Sequence, residues 1–356
     1  MTQLFKANSS HLPPAARRLL PAVCFVLLWA APFAAQNKQP PPVSQDDDEI
    51  IRVETTEIQL PVTVRDAQGR LLSGLTRDDF RVWEDGREQP LSTLVLRETP
   101  VDVVLMVDAS SSVAANLDDF RQAADAFAQK LAPADRLSLI KFADRVELLL
   151  DWTTNRAQLR RALSRLQSGM FTNFNDALYL AAREQLTLSR DRRRAVLVLS
   201  DGIDSGRGYA TFAATLKALL EAQAGVYVVS SGEMARRDKQ EELDALLNDT
   251  AAHVRLNELR INDLREGLKA LADSRRRLQQ LTAETGGQLF EPASFSGLES
   301  VYQDVAEELR KQYVLYYSPT NKQRDGQFRQ VRVQTKQPGL SVTARRGYYA
   351  PKARTP

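Results

Sequence analysis

The chain has 356 residues, 43% hydrophobic and 26% charged, enough for one large domain or two domains with their own cores, and it reads as globular. Its net charge of +3 is local to the N-terminus: residues 1–35 hold Lys6, Arg17 and Arg18 and no acidic residue, and the remainder of the chain carries 45 basic against 45 acidic side chains. That balance gives no electrostatic case for nucleic-acid binding, and with only His11 and His253 a zinc site of several histidines cannot be built.

The N-terminal basic residues lead into LLPAVCFVLLWAAPFAA, about fifteen mostly apolar residues, and then into a polar stretch. Residues 1–35 therefore read as a secretory signal peptide, and the protein as secreted, periplasmic or held in the cell envelope. Phe33 stands where a cleavage site usually has a small residue, which leaves an uncleaved membrane anchor as the alternative. Against the anchor, the run is short for a span and is interrupted by Pro21 and Pro32. Cys24, the only cysteine, lies inside this run, so the exported chain would have no thiol or disulfide chemistry. Residues 36–50, proline-rich and then acidic, bury nothing and read as a flexible linker.

Ordered sequence begins near Ile51. Residues 53–65 alternate in part as a strand, 66–69 form a turn, and FRVWEDGREQPLSTLVLRE reads as strand, Asp85-Gly86 turn, strand. Such a unit over residues 51–98 has a thin core alone. Residues 312–350 supply a second set: strands at 312–318, FRQVRVQT and LSVTARRGYYA, separated by Asp325-Gly326 and Pro338-Gly339 turns. The two sets are expected to pack as one antiparallel β-sandwich around a central insertion, because the two ends of a domain usually lie close together. Two separate small β units are the alternative.

Between them, over residues 99–311, the pattern changes. VDVVLMVD is a buried strand and LDDFRQAADAFAQKLAP a helix; DRLSLIKFAD and RVELLLDWT are strands; NRAQLRRALSRLQ and NDALYLAAREQLTL are helices. RRAVLVLSD, GVYVVSS and GGQLFEP are further strands, with ATFAATLKALLEAQA a helix among them. The alternation predicts an α/β fold, a doubly wound, mostly parallel sheet covered on both faces. Residues 233–277 are highly charged and read as one or two amphipathic helices inserted after GVYVVSS.

In such a sheet ligands bind beyond the carboxyl ends of the strands. Asp108 closes one strand and Asp201 another; Ser110 and Ser112 come just after the first, and Thr172 lies in SGMFTNFNDAL. Hydroxyls and carboxylates gathered at one edge are ligands for a hard divalent cation. Singly, the serines could cap the helix near Leu117 and Asp201-Gly202 could be an ordinary turn.

Together these residues resemble the von Willebrand factor A family, whose metal-ion-dependent adhesion site uses D-x-S-x-S, a threonine and a later aspartate. Here these are Asp108, Ser110, Ser112, Thr172 and Asp201, with Asn173, Asn175 and Asp176 as competing oxygens beside Thr172. The wider chain is similar to a group of secreted, often acidobacterial, proteins of this family, through Gly74-Leu75-Thr76, Asp79-Phe80, Glu84-Asp85-Gly86, Glu284-Thr285-Gly286-Gly287, Tyr313-Val314-Leu315 and Arg346-Gly347-Tyr348-Tyr349. The resemblance implies that Ser110, Ser112 and Thr172 ligate Mg²⁺ (Mn²⁺ or Ca²⁺ being possible substitutes) directly, while Asp108 and Asp201 act largely through water. It implies a non-enzymatic adhesion role in which a protein partner's Asp or Glu carboxylate completes the shell, with membrane contact only if the signal segment stays attached. The helical insertion would rise beside the metal as a wall or lid, or else be a solvated hairpin.

The rival is a Mg²⁺-dependent phosphoryl-transfer or hydrolytic enzyme with Asp108 as nucleophile. Against it, the residue two after Asp108 is Ser110, not a second carboxylate, and no GxxxxGK phosphate loop occurs. His253, in a polar helical segment, reads as a surface histidine.

Overall fold

An apolar strand must be covered on one face or on both, and this chain meets that demand differently at its ends and in its middle. The computed structural model describes residues 57–96, 100–111, 117–186 and 192–352; the expected signal segment, the linker and Ser112 lie outside them. In chain order, strands β1 (Ile58–Arg65), β2 (Phe80–Glu84), β3 (Arg87–Gln89) and β4 (Leu91–Val95) come first. The central segment begins with β5 (Val101–Asp108), α1 (Leu117–Lys130), β6 (Arg136–Phe142), β7 (Val146–Thr153), α2 (Arg156–Leu163), α3 (Phe174–Leu180), β8 (Arg193–Leu199) and α4 (Phe212–Ala222). It continues through β9 (Gly225–Val229), α5 (Gly232–Leu247), α6 (Ala251–Leu256), α7 (Glu258–Thr285), β10 (Leu289–Phe290) and α8 (Leu298–Lys311). Four strands close the chain: β11 (Tyr313–Tyr317), β12 (Phe328–Thr335), β13 (Ser341–Ala344) and β14 (Gly347–Tyr349).

The central strands form one sheet in the order β10-β9-β8-β5-β6-β7, parallel throughout except for the β6–β7 hairpin. Every residue of β5 is buried, which explains why it reads as an unbroken apolar run. Val101, Val103, Leu105 and Val107 pack towards α1, α2 and α8, while Val104 and Met106 pack towards α3, α4 and the end of α7. The doubly wound α/β expectation holds.

Strands from the two ends of the chain interleave. One sheet runs β13-β1-β11-β4 and the other β14-β12-β2-β3, all pairs antiparallel, and both contribute to one core that includes Leu60, Phe80, Val82, Tyr313, Tyr317 and Val331. Because each sheet mixes early and late strands, the alternative of two separate β units is excluded. The β-sandwich is a single body.

The helical segment after β9 differs from the amphipathic insertion ending near residue 277. Nothing in the sequence breaks the helix there, and α7 runs to Thr285, where Gly286 at φ 76° ends it. Its far half belongs to the main fold, since Leu278 and Leu281 lie in the core beneath the sheet. Its near half pairs with α5 around a small core of Leu243, Ile261 and Leu264. Among the described residues no helix is long and apolar enough to cross a membrane.

The scattered sequence motifs meet where the sandwich joins the central sheet. Buried Glu84 accepts the hydroxyls of Tyr317 and Tyr348, both at 2.9 Å. Tyr313 accepts from the Leu75 N–H and donates to the Leu72 carbonyl, each at 3.0 Å. The Arg346 N–H donates to the Glu284 carbonyl at 3.0 Å, and a Cβ on Gly287 would fall 1.9 Å from the Val226 carbonyl oxygen. Buried Glu308 accepts from Thr63 and from Arg65, the latter at 2.5 Å, and Gln312 donates to both Thr63 and Tyr227. Burial raises the Glu308 carboxyl, and Arg65 opposes it. Breaking such a buried pair costs about 3–5 kcal/mol.

Candidate metal centre

β5 and β8 are parallel neighbours with Val107 opposite Leu199, so Asp108 and Ser200 leave the sheet side by side at its carboxyl edge. The Ser200 hydroxyl donates to Asp108 Oδ2 at 2.6 Å, and the Ser110 N–H donates to Oδ1 at 2.9 Å. Asp201 continues from Ser200 into the same edge. Its Oδ1 accepts the Ile203 N–H at 2.9 Å, and its carbonyl accepts the Ser274 hydroxyl of α7 at 2.7 Å. Gly202 is required between them: its φ is 72°, and a Cβ would fall 2.7 Å from Leu278 and 2.8 Å from Ser274 Oγ.

Thr172 arrives on a third loop. Its N–H donates to Ser205 Oγ at 2.8 Å and its carbonyl accepts the Ser205 N–H at 2.9 Å, which ties this loop to the one after β8. The same loop is tied to the end of β5 by the Gly169 N–H donating to the Ala109 carbonyl at 2.7 Å and by the Ser111 hydroxyl donating to Met170 O at 3.3 Å. Asp144, in the β6–β7 turn, holds it from the other side by accepting the N–H groups of Met170 and Phe171, which keep its carboxyl below the usual range.

Asp108, Ser110, Thr172 and Asp201 thus stand on three loops bonded to one another, all four buried; Ser112 is outside the described residues. Of the oxygens that could compete with Thr172, Asn173 Oδ1 is buried without a hydrogen-bond partner and stays a rival, while Asp176 is engaged elsewhere. Asp176 accepts the N–H groups of Tyr209 and Ala210, and Asn175 donates to Asp204. Ser200, Ser205, Ser274 and Asp144 do not stand out in the sequence; Ser200 is visible beside Asp201, whereas nothing in the FADR turn marks Asp144 as the clamp of a loop 26 residues later.

Charge at this edge is negative. Burial, and then the carboxylate of Asp201, push Asp108 up to about 6, while the Ser200 and Ser110 donors pull the other way. The loops of Thr172 and Asp201 also carry exposed side chains: Met170 at 73%, Tyr209 at 65%, and Arg207, whose guanidinium lies 3.6 Å from the centre of the Phe171 ring.

Residues 103–203 match the family model described as the von Willebrand factor type A domain. Over those residues the central unit is similar to a von Willebrand factor A domain. Similar solved structures include a von Willebrand factor type A protein from Catenulispora acidiphila, 9% identical over 85% of this chain and 76% of its own, with a TM-score of 0.44. Another is proximal thread matrix protein 1 from the mussel byssus, in a form with a zinc-occupied MIDAS motif, 16% identical over 62% of this chain and 48% of its own, TM-score 0.42. The vWF domain of the type V pili tip protein Mfa5 from Porphyromonas gingivalis is 25% identical over 30% of this chain and 40% of its own, TM-score 0.29. The chain spans about half the length of the mussel byssus proteins it matches. No curated protein matches it significantly.

The residues at the carboxyl edge of the central sheet fit a hard divalent cation by their chemistry. Asp108 accepts hydrogen bonds from Ser110 and Ser200, both neutral donors, while a second carboxylate, Asp201, acts on it through its charge. Among the described residues there is no cluster of three or more His, Cys, Asp or Glu, so the donor set is one of hydroxyls with few carboxylates. Oxygen donors of that kind suit a hard divalent cation that keeps part of its water.

Proposed function

We propose that this chain is an exported, non-enzymatic binding protein whose A domain holds Mg²⁺ through Asp108, Ser110, Ser112, Thr172 and Asp201 and captures a protein partner by its Asp or Glu carboxylate. The supporting observation is the buried Asp108 carboxylate, bonded to Ser110 and Ser200 and pressed by the charge of Asp201, on loops bonded to the loop of Thr172. Mn²⁺ or Ca²⁺ would serve in place of Mg²⁺ through the same oxygens. The bound ion would supply an electrophile at the open side of the site. The chain's own residues orient it: Ser200 fixes Asp108, Ser274 fixes the Asp201 backbone, and Ser205 fixes Thr172.

The rim gives the partner further character. Exposed Met170 and Tyr209 offer apolar contact, and Arg207 a cation, so an acidic residue flanked by apolar ones is the sequence that would fit. We also assign residues 1–35 to an export signal, residues 51–98 and 312–350 to the sandwich, and residues 99–311 to the A domain. The α5–α7 hairpin is its partner-selecting wall, on the strength of the α7 contact to Asp201.

Calorimetric titration with Mg²⁺ and Mn²⁺ tests the metal, and pull-down from the exported proteome with and without chelator tests the partner. Binding that Asp108→Ala abolishes supports the reading. Absence of metal uptake by the wild-type chain, or turnover of phosphate esters that Asp108→Ala removes, overturns it.

A further inference from the structure

The opposite edge of the central sheet holds buried positive charge. β8 opens with Arg193 and Arg194, and Arg345 comes to them from the turn between β13 and β14; all three are less than a tenth exposed. They line one cavity of about 20 Å³ together with Gln312, Tyr227 and Gly286, and among the described residues no Asp or Glu lines it. Arg193 donates to Gln312 Oε1 at 3.3 Å.

Arg345 is the side chain with the least compensation. One N–H donates to the Gln59 carbonyl at 2.7 Å, but its Nε is buried with no hydrogen-bond partner, and among the described residues it makes no ion pair. Burial lowers it to about 10; Tyr317 opposes that fall and the charge of Arg194 adds to it. A buried cation left to itself is costly, and the usual remedy is a partner charge. The volume is a little more than the ~10–15 Å³ that one water needs, so a single small body fits and a phosphate ester does not.

We propose that this cavity binds one small inorganic anion of the size and charge of chloride, held by Arg345, with Arg193 and Arg194 adding positive charge to its lining. The anion sits between the two bodies of the protein. Arg193, Arg194 and Tyr227 belong to the strands of the A domain, whereas Gln312 and Arg345 come from the sandwich segments, so bound anion fastens one to the other.

The test uses the full chain with chelator present, which separates it from the metal site at the far edge. Melting is compared in sodium chloride and sodium gluconate at equal ionic strength, and crystals are soaked in sodium bromide for anomalous scattering. Chloride raises the melting temperature by about 2–4 °C over gluconate, Arg345→Gln loses that difference, and bromide gives an anomalous peak within hydrogen-bonding distance of Arg345 Nε. Equal melting in the two salts, or a cavity without anomalous signal, overturns the proposal. Should Arg345→Gln fail to fold, the bromide experiment on the wild-type protein decides alone.

Discussion

The two ends of β8 face opposite electrostatic problems. It begins at Arg193-Arg194, against the sandwich, and the chain leaves it through Ser200-Asp201, beside Asp108. Arg194 and Asp201 are seven positions apart, about 23 Å of extended chain. At an effective dielectric of about 20, unit charges that far apart interact by about 0.7 kcal/mol, against about 4 kcal/mol at 4 Å. Cations at one end therefore do little for carboxylates at the other, and each edge must find its own counter-charge. At the carboxyl edge the answer consists of neutral serine donors and, on our reading, a cation from solution; at the other edge Glu308 answers Arg65, and Arg345 is left for an anion.

The largest expected effect breaks the sandwich edge and spares the other. Gly287→Val drives a side chain into the Val226 carbonyl, where even a Cβ would stand at 1.9 Å, and should cost about 3 kcal/mol or more in denaturant unfolding. Next comes the acidic edge. Because the folded pKa of Asp108, about 6, lies above its unfolded value of 3.8, the metal-free folded state holds the extra proton. The contribution of Asp108 to metal-free stability is then greatest below about pH 4, falls as pH rises through 6 by about 3 kcal/mol in all, and is level above about pH 7, so the slope is read as the difference between the wild-type chain and Asp108→Asn. Asp108→Asn should flatten that slope and raise metal-free stability at neutral pH while abolishing Mg²⁺ uptake; a loss of stability with Asn would mean that the carboxylate pair is not repulsive. Ser274→Ala, which removes one hydrogen bond to the Asp201 backbone, should cost about 1 kcal/mol and weaken metal uptake without abolishing it. Arg260→Ala, cutting exposed pairs to Glu242 and Asp263 on the hairpin, should leave melting and metal titration unchanged, which sharpens the contrast between buried and solvated charge.

Much of the acidic edge is legible in the sequence because its residues sit at strand ends, and strand ends can be placed from apolar runs such as VDVVLMVD and RRAVLVLSD. The residues that hold the loops are not legible, since Asp144 and Ser205 act through backbone N–H groups and through neighbours distant in sequence. The sandwich is visible from turn punctuation at Asp85-Gly86 and Pro338-Gly339, but the interleaving of its strands is not, because alternation marks a strand without naming its neighbour. Reading residues 233–277 as a charged insertion misses the end of α7, where polar residues continue on the outer face while Leu278 and Leu281 turn inward. At the basic edge, an arginine pair before a strand gives no sign in the sequence that Arg193 and Arg194 will be buried beside Arg345, about 150 residues on.

The placement of β1 bears on how the protein is made. It lies between β11 and β13, so both of its edges find partners only among residues some 250 positions downstream. During synthesis residues 58–65 emerge early and wait, while the central unit, whose strands β5, β6 and β8 pair over shorter separations, can close first. A product cut short after α8 would present β1 as an unpaired apolar strand on both sides, a template for self-association, so the arrival of β11 and β13 decides whether that strand is sheltered.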